Sequence, residues 1–268
     1  MTATLLEVSV RMNHRLLRTL LLTAALIFVV DLAPAQRSGN TEPFQKPERL
    51  KLTGIGEPDP NVRWEDQKYI TASFYPIGWS RDGKFAYLVV PADEACGCLT
   101  LHIFIQDLRT DRVVWKETYD GEAEPEIPET LDTAWPKVQN DYSAKLRQYG
   151  IEQADKFELI HPAIRLDNDV LTPEVTVAIE TDGVFEVDGT VTVRMVSQRN
   201  GVKTISRNRY HRKDVNSIRN AEIAGSLISP FEKRAAVILI EEHRGYEGPP
   251  NVTRIRVVGS TLTTGFKK

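Results

Sequence analysis

The chain has 268 residues, with 34 Lys and Arg against 37 Asp and Glu, which gives a formal net charge of -3. Hydrophobic residues make up 41% and charged residues 26% of the chain. This composition is typical of a folded protein and excludes disordered chains, collagen and disulfide-rich scaffolds. The near-neutral charge also argues against a nucleic-acid partner, because such proteins carry a strong basic excess.

The first 35 residues have the pattern of a secretory signal peptide. Arginines precede the apolar run Thr19–Val30, and an A-x-A cleavage site follows at residues 33–35. The run is 12 residues long, so as a helix it would span about 18 Å of a hydrocarbon core of about 30 Å. We therefore expect a soluble protein exported to the periplasm or the extracellular space, with no membrane span after cleavage. The alternatives are an uncleaved anchor and a chain that starts at Met12.

The remaining chain divides into an irregular lead-in, residues 36–67, and a β-rich domain, residues 68–268. The lead-in is rich in Pro, Gly and charge. The domain has two β-rich halves, residues 68–120 and 165–268, joined by a helical segment, residues 121–164.

Short runs of β-branched and aromatic residues, separated by turn residues, predict antiparallel strands. In the first half these runs lie at 70–78, 85–90, 99–108 and 112–119. In the second half they lie at 175–181, 185–197, 202–210, 221–228, 235–241 and 253–258. A three-residue loop between 99–108 and 112–119 predicts a hairpin.

One helix is predicted between the two halves. Thr133 is a candidate N-cap, Pro136 is tolerated in a first turn, and Gly150 ends the helix. A stripe at helical spacing predicts its buried face: Trp135, Val138, Tyr142, Leu146 and Tyr149. The fold class is therefore mainly β with one main helix (α+β), built from antiparallel meanders. A doubly wound α/β fold is not expected, because it needs more crossover helices.

Residues 79–88 align with residues 228–237 as a weak internal repeat. Each copy enters a turn at Ser and leaves it at Lys, between two strands. A third strand follows each copy, so we expect two blade-like, three-stranded units.

Residues 79–87, Trp-Ser-Arg-Asp-Gly-Lys-Phe-Ala-Tyr, are followed at 105–114 by Ile-Gln-Asp-Leu-Arg-Thr-Asp-Arg-Val-Val. Over about 40 residues this resembles one blade of the TolB-type, WD40-like propellers. A closed propeller needs at least about four blades, and residues 121–212 contain none, so a complete propeller is not expected. The resemblance implies a binding surface. The whole chain is also similar to an uncharacterised family of predicted secreted bacterial proteins.

The two cysteines, Cys96 and Cys98, flank Gly97 in a chain that we expect to enter an oxidising compartment. On an extended strand they would lie about 6.5 Å apart, so a disulfide between them would be strained and reducible. The alternatives are a disulfide that only stabilises the loop, two thiols that are not bonded to each other, and a redox-active pair. If the strand is unbroken, His102 lies on the same face, and two sulfurs and an imidazole suit copper or zinc.

A polar loop joins two predicted strands at 241–250, and it offers four candidate ligand-binding residues: Glu242, His243, Arg244 and Tyr246. The alternative is a solvated hairpin tip. Basic residues at 199–213 would guard an exposed sheet edge, and the alternative is that they bind an anionic partner such as a polysaccharide or phosphate. The acids at 117–132 lack the pattern of a calcium loop.

No nucleophile elbow, P-loop or H-E-x-x-H motif is present, so the sequence identifies no catalytic residue. We therefore predict a non-enzymatic binding or scaffold protein, without a cofactor. Its surface would be formed by the loops after Val90 and after Glu241, and its partner would be a protein or polysaccharide of the cell envelope. The alternative is a thiol-redox or metal-binding protein that uses Cys96, Cys98 and His102.

Overall fold

A computed structural model describes residues 42–54, 68–93, 98–121, 129–181, 186–211, 217–245 and 250–268. The chain divides into two units, Met1–Glu42 and Pro43–Lys268. Of the first unit only Glu42 is described, so the predicted signal peptide lies outside the described residues. None of the helices in the described part of the chain is long and apolar enough to cross a membrane.

The described part of the second unit contains thirteen strands and one long helix. In chain order these are β1 (Tyr69–Ile70), β2 (Ser73–Ser80), β3 (Lys84–Val90), β4 (Thr100–Asp107), β5 (Arg112–Asp120), α1 (Leu131–Gln148), β6 (Ile151–Gln153), β7 (Ile164–Leu166), β8 (Asp169–Thr181), β9 (Glu186–Ser197), β10 (Gly201–His211), β11 (Ile218–Ile228), β12 (Arg234–His243) and β13 (Asn251–Thr261). The prediction of a mainly β fold with one main helix is confirmed.

The strands form three sheets. Sheet A has the order β1-β13-β12-β11, sheet B the order β5-β4-β3-β2-β6, and sheet C the order β10-β9-β8-β7. Neighbouring strands are antiparallel except β1 and β13, which are parallel. The hairpin of β4 and β5 is present as predicted. The sheets have four or five strands, and the three-stranded sets β2–β4 and β11–β13 are parts of these larger sheets.

Three hydrophobic clusters place these elements in layers. Sheets A and B bury a cluster between them that includes Trp79, Phe85 and Ile238. The other face of sheet B packs on α1 through residues such as Ile103 and Tyr142. The other face of sheet A packs on sheet C, and this cluster includes Val237 and Met195. The order of the layers is therefore α1, sheet B, sheet A and sheet C.

Strand β12 lies in the middle of this stack and is buried on both faces. Ala236, Ile238 and Ile240 face sheet B, whereas Val237 and Leu239 face sheet C. A strand that is covered on both sides needs apolar residues at consecutive positions instead of alternate ones. This explains the unbroken apolar run from Ala235 to Ile240.

The helix begins earlier than the sequence predicts. Its N-cap is Thr130 instead of Thr133, and the Thr130 N–H donates to Thr133 Oγ1 at 3.0 Å. Pro136 consequently lies inside the helix and not in its first turn. The predicted apolar face is largely confirmed, since Trp135, Tyr142 and Leu146 are buried.

Sheets A and B are also joined by polar contacts beside the β4–β5 turn. Gln106 accepts the Tyr87 hydroxyl at 2.9 Å and donates to the Val257 carbonyl at 3.0 Å. Asp111, with φ of 58°, accepts the Gly259 N–H at 2.9 Å. These side chains satisfy backbone groups on the outer side of β13, which would otherwise need water or another strand.

Candidate functional site

The two loops identified from the sequence leave sheets A and B at the same end of the molecule. Residues 71–72 alone connect β1 of sheet A to β2 of sheet B. Strand β1 pairs with the start of β13, with Ile70 opposite Val252, and β2 pairs with the end of β3, with Ser73 opposite Val90. The β3–β4 and β12–β13 connections therefore begin at neighbouring strand ends. We call these strand ends, with the described residues 68–73, 98–102, 241–245 and 250–252, the loop end.

Hydrogen bonds fix the two sheets together at the loop end. The Ala72 N–H donates to Thr253 Oγ1 at 2.9 Å, and Thr253 is 2% exposed. The Arg244 N–H donates to the Ser217 carbonyl at 3.2 Å. Both flanks of the β12–β13 loop are thus attached to the scaffold.

The structure places the candidate ligand-binding residues in different surroundings. Glu242 and His243 are the last residues of β12 and are buried, whereas Arg244 follows the strand and is exposed. Tyr246 lies outside the described residues. Glu242 and His243 point to opposite faces of sheet A because they are consecutive residues of a strand.

Glu242 belongs to a polar group next to β1. It accepts the Asn251 side-chain amide at 2.6 Å, which links β12 to β13. Lys68 lies with its Nζ 4.9 Å from the centroid of the Tyr69 ring. A hydrogen bond to Tyr69 raises the pKa of Lys68, and the charges of Glu242 and Glu222 act in the same direction. This part of the loop end therefore carries both signs of charge.

His243 belongs to a second group, which is centred on Glu241 and faces sheet C. Arg256 Nε donates to Glu241 Oε1 at 2.6 Å, and the Tyr210 hydroxyl donates to Glu241 Oε2 at 2.6 Å. His243 Nε2 lies 3.7 Å from Glu241 Oε2, and Arg256 Nη1 donates to Ser206 Oγ at 2.8 Å. Side chains from β10, β12 and β13 thus meet at one carboxylate.

The protonation of this group follows from its contacts. Burial raises the pKa of Glu241, but His243, Arg256 and Tyr210 outweigh burial and hold it below the ordinary value. Burial and the charge of Glu241 raise the pKa of Tyr210. A charged carboxylate with donors on both oxygens is a structural tie between sheets A and C.

Sequence analysis missed Tyr210, Ser206 and Arg256. They lie 31, 35 and 15 residues from Glu241 along the chain, so no local spacing connects them to it. The only available indication was the unusual acid–acid–histidine run at the end of an apolar strand.

The thiol and metal candidates lie partly outside the described residues. Cys96 is among the residues not described, while Cys98 is described and is not a free thiol. Strand β4 begins at Thr100, so Cys98 precedes the strand that carries His102. The described ranges contain no cluster of three or more His, Cys, Asp or Glu side chains suited to a metal ion.

His102 itself is half-buried on β4. Its Nδ1 lies 3.0 Å from Thr118 Oγ1 on the neighbouring strand β5. Burial lowers the pKa of His102, and Lys116 lowers it further. The imidazole is therefore neutral at pH 7.

The basic residues of β10 divide between the interior and the surface of sheet C, of which β10 is an edge strand. Lys203 is buried and donates to the carbonyls of Thr261 and Thr264. Arg209 is exposed and pairs with Asp188 at 2.8 Å, and Arg207 is exposed.

The loop end thus combines a rigid, internally paired base with the exposed Arg244. Its charged side chains suit recognition of a polar partner, whereas the Glu241 group is enclosed. No family model, curated protein or solved structure matches this chain.

Proposed function

We propose that this protein is an exported, non-enzymatic binding or scaffold protein whose partner contacts the loop end. The observation that carries this proposal is the two-residue link between β1 and β2, which brings the ends of β3 and β12 together. Loops held on a rigid β scaffold are where binding residues are concentrated in proteins. Two loops at one end form a larger contact surface than either loop alone.

The charges of the loop end indicate the chemistry of the partner. Lys68 and Arg244 are cationic, Glu242 is anionic, and the whole chain has a net charge of -3. Mixed charge favours hydrogen-bonded recognition of a protein or a polysaccharide over binding to a nucleic-acid backbone. We place this partner in the cell envelope, because the proposed cleavage after residue 35 exports the chain.

The internal repeat supports a blade-like role for the two hairpins. Strands β2 and β3 and strands β11 and β12 hold the two copies, and each pair is followed by an antiparallel third strand. We propose that these sets act as blade-like units whose loops present the binding surface.

The binding proposal is tested with Arg244→Ala, because Arg244 is exposed and its side chain can be removed without opening the core. The probes are detergent-extracted envelope proteins and purified cell-wall polysaccharide from the producing cells, each titrated separately. We expect one probe to bind, and Arg244→Ala to weaken binding about tenfold, as loss of one charged contact does.

The matched control is Arg207→Ala, an exposed arginine on the outer strand of sheet C. Binding of that probe should be unchanged in this variant. Absence of binding by both probes, or equal effects of the two substitutions, contradicts the proposal.

A second candidate function is thiol-redox or metal chemistry at Cys96, Cys98 and His102. The neutral imidazole of His102 favours it, because a neutral ring nitrogen is the form that binds copper or zinc. Thiol titration under denaturing conditions and elemental analysis of the purified protein separate the two functions. Stoichiometric copper or zinc that is lost in Cys96→Ser supports this second function. A metal-free protein in which Cys96→Ser lowers stability alone supports the first.

A further inference from the structure

Strand β5 forms an exposed edge of sheet B. It pairs with β4 on one side. Most of its residues are exposed, and Val113 and Val114 keep 49% and 38% of their surface. An uncovered edge strand offers unpaired N–H and C=O groups to another strand.

The register of β4 and β5 shows which backbone groups point away from sheet B. The Gly121 N–H donates to the Leu99 carbonyl at 2.8 Å, so these opposed residues form a hydrogen-bonded pair. In an antiparallel ladder such pairs alternate. Tyr119 and Glu117, opposite Leu101 and Ile103, therefore also bond to β4.

The backbone groups of Lys116, Thr118 and Asp120 consequently point outward. The backbone groups of Val114 also point outward, because Val114 lies two residues from Lys116 along the strand. Its carbonyl accepts the Tyr149 hydroxyl at 3.2 Å, so Tyr149 covers the Val114 end of this edge. Among the described residues, no hydrogen bond from outside β5 is found at the outward groups of Lys116, Thr118 and Asp120.

The alternation of inward and outward backbone groups restricts how a second β5 could pair with the first. A residue whose backbone groups point outward must lie opposite another such residue. The two-fold axis of a symmetric antiparallel pair therefore passes between two copies of the same residue, and we call that residue the centre of the pair. A centre on Lys116 or Glu117 places like charges opposite each other, which is destabilising. A centre on Tyr119 places Lys116 opposite a residue beyond the end of β5.

A centre on Thr118 has none of these defects. It places Lys116 opposite the partner's Asp120, and Asp120 opposite the partner's Lys116. Thr118 then faces its own copy on the two-fold axis. Opposite charges and Thr–Thr pairs both stabilise neighbouring strands.

We propose that the occupant of this edge is a second copy of the chain, paired antiparallel through β5 with Thr118 on the two-fold axis. The contact is isologous, as in most homodimers, and it uses strand addition. It joins two five-stranded sheets B into one of ten strands. Because the paired segment is short, the dimer dissociates on dilution.

The experiment is sedimentation velocity over a concentration series, on the chain as recovered from the producing cells. We expect a reversible monomer–dimer equilibrium that weakens with added salt. Lys116→Asp and Asp120→Lys should each raise the dissociation constant about tenfold, because each places like charges opposite each other at two symmetric positions. The double variant restores opposite charges and should return the constant to that of the unaltered chain.

Two further variants separate the register from general charge effects. Glu117→Lys changes a charge on the same strand, but Glu117 lies opposite the partner's Tyr119, which is uncharged. The dissociation constant of this variant should therefore change less than threefold. Thr118→Pro removes an outward N–H and leaves the ladder with β4 intact, so it should abolish the dimer. Circular dichroism and thermal unfolding show that each variant is folded. A monomer at every concentration overturns the proposal, and so does a double variant that binds no better than the single ones.

Discussion

Glu241 shows how a charged residue is accommodated in the interior of this protein. Its side chain is 4% exposed, and Arg256 and Tyr210 occupy both carboxylate oxygens. Replacing it with Gln removes the charge that Arg256 needs. We expect Glu241→Gln to lower the free energy of unfolding by about 3 kcal/mol, since it leaves a largely buried cation without its counterion.

Urea denaturation measures this loss. Tyr210→Phe removes one hydrogen bond to the same carboxylate and should cost about 1.5 kcal/mol. Glu180→Gln is the control at a surface pair and should change stability by less than about 0.5 kcal/mol. Equal costs for Glu241→Gln and Glu180→Gln would show that the Glu241 group does not tie the sheets together.

The same carboxylate gives a prediction for acid conditions. The pKa of Glu241 lies below its ordinary value of 4.5 in the folded state. Its contribution is therefore complete above pH 4.5 and is lost as the pH falls through the lower folded-state value. The difference in stability between the unaltered chain and Glu241→Gln should shrink between pH 5 and pH 3. A difference that is constant over this range contradicts the assignment.

Lys203 gives the opposite prediction at alkaline pH. Burial lowers its pKa from 10.5 to about 8, so above pH 8 the folded chain releases a proton that the unfolded chain keeps. Stability should then rise with pH, by about 1 kcal/mol between pH 8 and 9.5. Lys203→Met removes this titration, and its stability should not rise in that range. The measurement is thermal unfolding of both proteins at several pH values. If the stability of the two proteins changes with pH in the same way, Lys203 is not the cause of the rise.

Sequence analysis found the chemically unusual residues but not their surroundings. The run Glu242, His243 and Arg244 stood out because acid, imidazole and guanidinium groups follow an apolar strand. The burial of Glu242 and His243 depends on β10 and β13, which meet them only in the folded chain. Contacts of this kind are set by the packing of sheets, which leaves no local pattern in a sequence.

At the scale of elements, two backbones approach each other closely at Gly259 in β13. A Cβ atom there would lie 2.2 Å from the Leu108 carbonyl oxygen and 2.7 Å from Leu108 Cα. Both atoms belong to backbone, which cannot rotate away. We expect Gly259→Ala to cost about 2 kcal/mol by forcing β13 and the β4–β5 turn apart.

Gly150 provides the matched control. It has φ of +69°, and nothing lies within 4 Å of an added Cβ. Gly150→Ala should therefore lower the free energy of unfolding by about 1 kcal/mol, because only the left-handed backbone conformation is strained. Urea denaturation compares the two variants, and a smaller loss at Gly259 than at Gly150 would contradict the close contact.

Elements were more predictable than their partners. The hairpin of β4 and β5 followed from two β-rich runs and a three-residue turn, and the apolar face of α1 followed from helical spacing. The N-cap was misplaced by three residues, because Pro136 was assigned to the first turn although this helix continues through it. The assignment of strands to sheets A, B and C depends on pairing between distant segments, such as β1 with β13.

At the scale of the whole molecule, the layers separate a buried interior from the exposed surface that we propose for binding. The middle strand β12 is covered on both sides and ends in the enclosed Glu241 group. The strand ends at the loop end carry the connections that the sequence indicates for binding, and β5 is an edge strand of sheet B. We therefore assign a structural role to the enclosed Glu241 group and propose the exposed part of the loop end as the binding surface.

The most direct test of this separation is site-specific photo-crosslinking in the producing cells. A photoreactive amino acid replaces Arg244 in one variant and Arg207 in another, since both side chains are exposed and lie on different sheets. We expect a discrete crosslinked product from position 244 and none from position 207. A product from position 207 alone, or the same products from both positions, would contradict a binding surface at the loop end.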